Sequence, residues 1–545
     1  MFLLACATDG ENTVTVRSDH LTPFVRQHAQ CDWVMFDSVS LLEQLDKVVR
    51  RAGDDVYALV DRNRVWDLSL LWRLRMLCKV GKSDAEHSLP ELLRVLSAAP
   101  RSAVRSLGDL IAWLKEESTK ILATYKIVQR DIACRLRQAD EAFRFQGRRW
   151  IKDQIAHWGP QTHHIQIRGA IALQQISAAG LPIDVAQVQK NLAALRSEQA
   201  TLLGQLADEG YVPRESGSEQ LLRDLLQHAY AHHPDLAQPD SGGDISLRED
   251  DLKSLGLREP FVDAYLQESK VSRLIQVMGK MDKPTVHTTF DPLLVTGRSS
   301  ASGDIPAQSL PRDPRVRSCI SAPPGKLFVI ADYVAIELAA LAQVTLAGGS
   351  QSSLAELFNR GVDIHRFVAG RLLGKPTEAV NDAERQKVKP INFGVPGGMS
   401  TATLCKYAAK TYDVTLTENQ ATEWRQRWLE LFPEVREYRF DSQNANAVFT
   451  CTGRLRSEVD YCASRNTPFQ GLAADGAKFA LWNLLRQGYL VRNFVHDEFL
   501  VEVDADSDVE LQRKKICKIL REAMRLVIPD VRIEVKSRIA KSWSP

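Results

Sequence analysis

A mixed α/β fold of the α+β kind is predicted by three observations. A hairpin signal near the C-terminus alternates around a polar tip, a short buried-type strand feeds a helix in mid-chain, and a charged segment between them repeats at helical spacing. The hairpin is Tyr489–Val503, in which the apolar-rich runs Tyr489–Val495 and Phe499–Val503 flank His496-Asp497-Glu498. Neighbouring carboxylates repel, and a divalent metal is the commonest reason to set them side by side, although a solvated turn accounts equally for the trio taken alone. The strand is Leu327–Ala331, which runs into Asp332-Tyr333 before Ile336-Glu337-Leu338-Ala339-Ala340-Leu341 resumes at helical spacing. An acid at the end of a strand, facing an acidic hairpin, can hold two metal ions in line for phosphoryl transfer.

The third segment, Glu384–Gly394, places Arg385, Lys389 and Phe393 at i, i+4 and i+8 on one helix face. Two cations followed by an aromatic ring suit a triphosphate and a base better than a core. With Asp-Tyr-x-x-Ile-Glu, then Arg-x-x-x-Lys-x-x-Asn-Phe-Gly, then Val-His-Asp-Glu in this order, the chain resembles the family A DNA polymerases, those like DNA polymerase I. The resemblance covers roughly residues 160–545, and the first 155 only in outline.

What the resemblance implies is template-directed addition of dNTPs to a primer 3′-OH, with release of pyrophosphate, in a right-hand fold of palm, fingers and thumb. A ribonuclease-H-like, exonuclease-type domain would occupy residues 1–155, the thumb 156–285, the palm 286–345 and 450–545, and the fingers 346–449. Asp332 and Asp497 would bind two Mg²⁺ ions (Mn²⁺ able to substitute), with Glu498 as a helper and Lys389 protonating pyrophosphate. Arg385, Lys389, Phe393, His365, Glu337 and Tyr333 would surround the dNTP. Arg298, Gln308, Arg454, Asn466, Gln470 and His496 would touch primer–template DNA, some as donors to minor-groove acceptors that every correct base pair presents. The implied partners are primer–template DNA and dNTPs, with room for other replication proteins.

Two departures from the family pattern stand out. Gly397-Gly398 replaces the usual Tyr-Gly after the fingers helix, and Val334-Ala335 replaces Ser-Gln. The Val-Pro-Gly-Gly form resembles a subset of bacteriophage polymerases, which implies phage DNA replication in a bacterial cytoplasm. A single-subunit RNA polymerase shares the implied fold, but Glu337 argues against it, because the family uses that carboxylate to crowd a ribose 2′-hydroxyl. A non-catalytic relic is disfavoured because all three motifs keep their charged residues.

Composition bounds the rest. The 545 residues allow three or four domains, and 44% hydrophobic content supplies several cores. A formal net charge of +2 means that DNA affinity must come from a locally basic cleft. The nine cysteines form no CxxC pair and no zinc spacing, as expected of reduced thiols in a cytosolic protein. Asp9 interrupts the apolar start and no basic stretch precedes it, so no secretory signal is expected, and no apolar run is long enough for a membrane span.

Along the chain, Phe2–Thr8 and Thr13–Arg17 read as a hairpin, and Trp33–Phe36 and Val56–Val60 as further strands. Leu68–Leu77, Leu89–Leu96 and Ile121–Arg144 read as helices. A nuclease centre would need several acids here. Asp9 and Glu11 are explained more simply by a turn at Asp9-Gly10, and Asp37 and Asp131 read at most as remnants of later motifs, with Tyr125 six residues before Asp131 instead of the family's usual four, so this domain is read as degenerate. The Phe143–Trp150 stretch mixes cations with aromatics and suits either nucleic acid or a solvated helix face. Ile165–Ala178, Val185–Leu206 and Phe261–Met281 read as helices, with 207–260 polar and loop-rich.

Overall fold

The computed structural model describes residues 4–8, 13–17, 20–83, 107–142, 151–236, 245–247, 249–349, 351–437 and 446–544. Its centre is a four-stranded antiparallel sheet in the order Leu490–Val495, Glu498–Asp504, Lys326–Tyr333, Val535–Ala540. The Lys326–Tyr333 strand is flanked on both sides, which its run Phe328-Val329-Ile330-Ala331 suits, because all four side chains are buried. Alternation divides them between two cores. Val329, Ala331 and Tyr333 face the helices Ile336–Ala347, Tyr461–Arg486 and Val509–Arg525, whereas Phe328, Ile330 and Leu500 face a second core shared with Trp543 and the helices Val185–Asp208 and Pro260–Gly279.

The N-terminal part carries the antiparallel pair Leu4–Thr8 and Thr13–Arg17 and the long helix Leu107–Ala142. A parallel pair, Trp33–Met35 with Val65–Asp67, lies beside them. Its small core is completed by Ile167, Ile171 and Trp482, which anchor it to the helices His163–Ala179 and Tyr461–Arg486. The expected strand at Val56–Val60 is instead a turn leading into the short helix Ala58–Asp61, and the strand lies further on, at Val65–Asp67. Val56, Leu59 and Val60 bury at helical spacing, a pattern too short to separate from a strand by composition. Asp131 is held by Arg75 at 2.6 Å, and Asp37 has a left-handed φ of 52° ahead of the helix Ser38–Val49. Asp9, Glu11, Leu89–Leu96 and Phe143–Trp150 lie outside the described residues.

The stretch 207–260, expected to be loop-rich, contains the helices Ser218–His232 and Glu249–Gly256. Leu222, Leu226, Ala229 and Tyr230 recur on one buried face, so a narrow apolar stripe suffices beneath an otherwise polar surface. Among the described residues no helix is long and apolar enough to cross a membrane.

Tyr333 follows Asp332 on the strand and therefore points to the opposite face. Its side chain is buried, and its hydroxyl donates to the Leu520 carbonyl at 2.6 Å. The expected nucleotide contact by this side chain is thus corrected: alternation turns it into the core. Tyr333→Phe should lower the unfolding free energy by about 1 kcal/mol in urea denaturation, with the KM for nucleotide unchanged. A raised KM would place the hydroxyl in the cleft after all.

Candidate active site

The acids meet where the central strand ends. Asp332 is paired in register with Glu498, the first residue of the returning hairpin strand, and the Tyr333 amide donates to the Asp497 carbonyl at 3.3 Å. The turn between the hairpin strands has only two residues, His496 and Asp497, and His496 takes a left-handed φ of 59° to close it. Asp332 reaches solvent at the strand end, with neighbouring groups packed close around its carboxyl. Burial, followed by the charges of Asp497 and Glu498, pushes the Asp332 carboxyl well above the usual carboxylate range. Asp497 is pushed up by burial, against the favourable charge of Arg298 and with the repulsion of Glu498 adding to it.

Carboxylates so disposed fit a divalent cation. Among the described residues no three His, Cys, Asp or Glu side chains form a complete cage. Glu498 stands apart from the pair, because its Oε1 accepts from the Trp543 indole at 2.7 Å, with the Arg317 guanidinium 4.1 Å above that ring.

Across the cleft, the helix Asp382–Gly394 begins in a reciprocal cap between Asn381 and Glu384. It runs through Pro390 without a break. Arg385 donates to Asp363 at 2.9 Å, and Asp363 also caps the helix Ile364–Leu373. Lys389 is half-buried, and burial, then the neighbouring charges of Arg385, Arg312 and Lys536, lowers its proton affinity. Phe393 lies 5.6 Å from the His365 ring and stacks on Tyr412 at 6.2 Å.

The tautomer of His365 follows from a chain of hydrogen bonds. The Trp428 indole N–H donates to Asn392 Oδ1 at 2.8 Å, which fixes the amide so that its Nδ2 donates to His365 Nδ1 at 2.8 Å. The proton of the neutral ring therefore sits on Nε2. Burial first, then the charge of Arg385, lowers the His365 pKa to about 3, so the ring stays neutral at physiological pH. Asn392 lies within the motif that runs from Arg385 to Gly394, and nothing in the sequence singles out Trp428 as its partner. Their hydrogen-bonding role leaves no trace in spacing.

Arg312 acts electrostatically on Asp332, Asp497 and Lys389, so the acids and the Asp382–Gly394 helix lie within reach of one guanidinium. Residues 185–545, more than half of the chain, match DNA polymerase family A. The chain belongs to DNA polymerase family A. DNA polymerase I of Aquifex aeolicus is 25% identical over 535 residues, covering 92% of this chain and 90% of that protein. The thermostable DNA polymerase I of Thermus thermophilus is 27% identical over 541 residues, covering 91% of this chain but 60% of its relative. The POL domain of Pol1 from M. smegmatis, in complex with DNA primer-template and dNTP, shares the fold at a TM-score of 0.71 and 19% identity, over 99% of this chain and 92% of that one.

The residues of this polymerase expected to touch DNA divide into two groups. Gln308 donates to Ser299 Oγ at 3.0 Å and to the Phe494 carbonyl at 3.2 Å, and Asn466 donates to the Gly397 carbonyl at 3.3 Å. Both are half-buried, as is Gln470, and His496 is exposed. Arg298 forms an ion pair with Glu337, joining a residue expected on DNA to one expected on the nucleotide. Arg454 is the correction. It is 1% exposed, and its guanidinium is bonded to Asp475 at 2.5 Å and to the Thr296 carbonyl at 3.1 Å, so it cannot reach a template strand.

The His365 assignment is directly measurable. Its imidazole resonances should stay flat between pH 5 and pH 8, because a pKa near 3 lies below that window. An inflection near the unperturbed value of about 6.5 would show the ring solvated and its tautomer free.

Proposed function

We propose that Asp332 and Asp497 carry the nucleotidyl transfer of this family A DNA polymerase, with Arg385, Lys389 and His365 receiving the triphosphate. The observation behind this reading is the register that seats Asp332 against Glu498 and beside Asp497, in one cleft with the cations of the Asp382–Gly394 helix. Two Mg²⁺ ions held by Asp332 and Asp497 would supply Lewis acidity to the attacking 3′-hydroxyl and to the charge that builds on the departing pyrophosphate. The bond formed joins the primer 3′-oxygen to the α-phosphorus, and the bond broken releases the β,γ-diphosphate.

The chain's own groups do the rest. Arg385, steadied by Asp363, and Lys389 neutralise the phosphates, and the lowered proton affinity of Lys389 makes it the readier donor to the leaving diphosphate. His365 offers its Nε2 proton to a phosphate oxygen. Phe393 presents a ring face to the base or sugar. Glu337 crowds the 2′ position, and its ion pair with Arg298 keeps that carboxylate from swinging away. Gln308, Asn466, Gln470 and His496, together with Arg298, face the primer–template and check pair shape through minor-groove acceptors.

We read residues 156–285 as thumb, 286–345 and 450–545 as palm, and 346–449 as fingers. The N-terminal part is read as an exonuclease-like domain without a nuclease centre, since Asp131 is committed to Arg75. The reaction is proposed to run on dNTPs in a bacterial cytoplasm.

Primer extension tests the assignment. Asp332→Asn and Asp497→Asn should each reduce kcat more than 100-fold, a barrier increase of about 2.7 kcal/mol, while primer–template affinity survives. Retention of more than a hundredth of the wild-type rate in either variant would overturn the metal-binding role. Glu337→Ala should admit rNTPs in the same assay. Unchanged rejection of rNTPs would remove Glu337 from the sugar site.

A further inference from the structure

The edge strand Val535–Ala540 brings one more cation to the cleft. Lys536 is paired in register with Asp332, which on its other side is paired with Glu498. Directly opposed residues of antiparallel neighbours project from the same face with Cβ atoms about 5 Å apart, so Glu498, Asp332 and Lys536 form a row across three strands. The alternation of the edge strand agrees. Ser537, the next residue, accepts from Arg513 at 2.8 Å on the side of the Val509–Arg525 helix, which leaves Lys536 on the cleft side.

Lys536 is exposed, and among the described residues its ammonium has no hydrogen-bond or ion-pair partner. Its charge is felt at Asp332 on the palm side and at both His365 and Lys389 on the fingers side. It therefore lies beside the acids and within electrostatic reach of the helix that carries Arg385. Arg312, Arg385 and Lys536 all act on Lys389, and the acid that offsets them there, Asp363, is already bonded to Arg385. Cations that the fold gathers this closely, beyond the acids bonded to them, suit a polyanion.

We propose that Lys536 is a phosphate-binding residue of the active site, contacting the β,γ-diphosphate portion of the incoming nucleotide and the pyrophosphate it becomes. The inference rests on the proposed function above and extends it to a strand outside the three motifs. Lys536 grips the leaving group from the palm edge, opposite Arg385 and Lys389, so the diphosphate is held from two sides as the bond to the α-phosphorus breaks. The competing role for the same lysine is simple neutralisation of Asp332, which would govern metal affinity and leave the phosphates untouched.

Lys536→Gln separates the two. With saturating Mg²⁺ and primer–template, the variant should show a KM for dNTP raised about tenfold and inhibition by inorganic pyrophosphate weakened about tenfold, as expected for loss of one charge-assisted contact. Its half-saturating Mg²⁺ concentration and its primer–template affinity should stay within about twofold of wild type, and Lys536→Arg should restore both phosphate parameters. A shifted Mg²⁺ requirement with unchanged pyrophosphate inhibition would overturn the proposal in favour of neutralisation. No change in either would overturn it outright. Calorimetric titration of inorganic pyrophosphate into the wild-type and Lys536→Gln proteins stands independent of catalysis. If the wild type failed to extend primers, the functional reading would fall, while equal pyrophosphate affinities in this titration would sink the role of Lys536 itself.

Discussion

The constraint on which the structure depends is the forced meeting of carboxylates at the end of its central strand. Asp332, Asp497 and Glu498 repel one another, and nothing in their own chemistry brings them together. The sheet does. Phe328 to Ala331 bury on both faces, the hairpin strand Glu498–Asp504 buries Phe499, Leu500, Val501 and Val503 beside them, and the antiparallel register then leaves no choice about which residues share the strand end. Each buried aliphatic or aromatic side chain contributes about 1.5–3 kcal/mol, so a short stretch of sheet outweighs the repulsion at its tip.

The opposite wall answers that negative floor with a rigid set of donors. His365 keeps one tautomer because Trp428 orients Asn392, and Asn392 in turn occupies Nδ1. Arg385 is splayed by Asp363, whose other oxygen caps a separate helix, so the guanidinium is tied to two elements. Donors fixed in advance need no reorganisation when charge develops beside them, which is the condition for large electrostatic stabilisation. The tyrosine usual in the family after this helix is replaced here by Gly397. At Gly397 a Cβ would lie 2.7 Å from Asn466 Oδ1, so Asn466 fills the space that a larger residue would need.

Much of this was legible in the chain because the motifs are local. Asp332, Arg385, Lys389 and Phe393 sit in strand or helix patterns that read directly from period, and the hairpin announces its own turn. What stayed hidden depends on contacts between distant segments. Tyr333 is expected at the nucleotide from the family resemblance, yet alternation sends neighbouring strand residues to opposite faces. Lys536 is one cation in an unremarked alternating run, and only the pairing of two strands some two hundred positions apart sets it beside Asp332. The helices between 207 and 260 escaped because a stripe of four buried residues is thin against a polar background.

Arg454 shows how the same residue type can serve a site without touching its ligands. The loop Thr296–Arg298 must place Arg298 against Glu337, and two buried cations hold it there. Arg454 donates to the Thr296 carbonyl at 3.1 Å, and Lys478 donates to the Gly297 carbonyl at 2.6 Å. Gly297 takes a φ of 89°, and a Cβ on it would lie 2.1 Å from Arg454 Nη2, so both its conformation and its lack of a side chain are required by this packing. Burial of the two cations is made tolerable by Asp475, which pairs with Arg454 and accepts from Thr452 and Gln166. Even so, burial and the charge of Arg454 lower the Lys478 pKa to about 7. Removing one member of such a network strands a buried charge, a cost of about 3–5 kcal/mol in comparable pairs. The arginine expected at the template thus acts one step behind the cleft, fixing the loop from which another arginine reaches in.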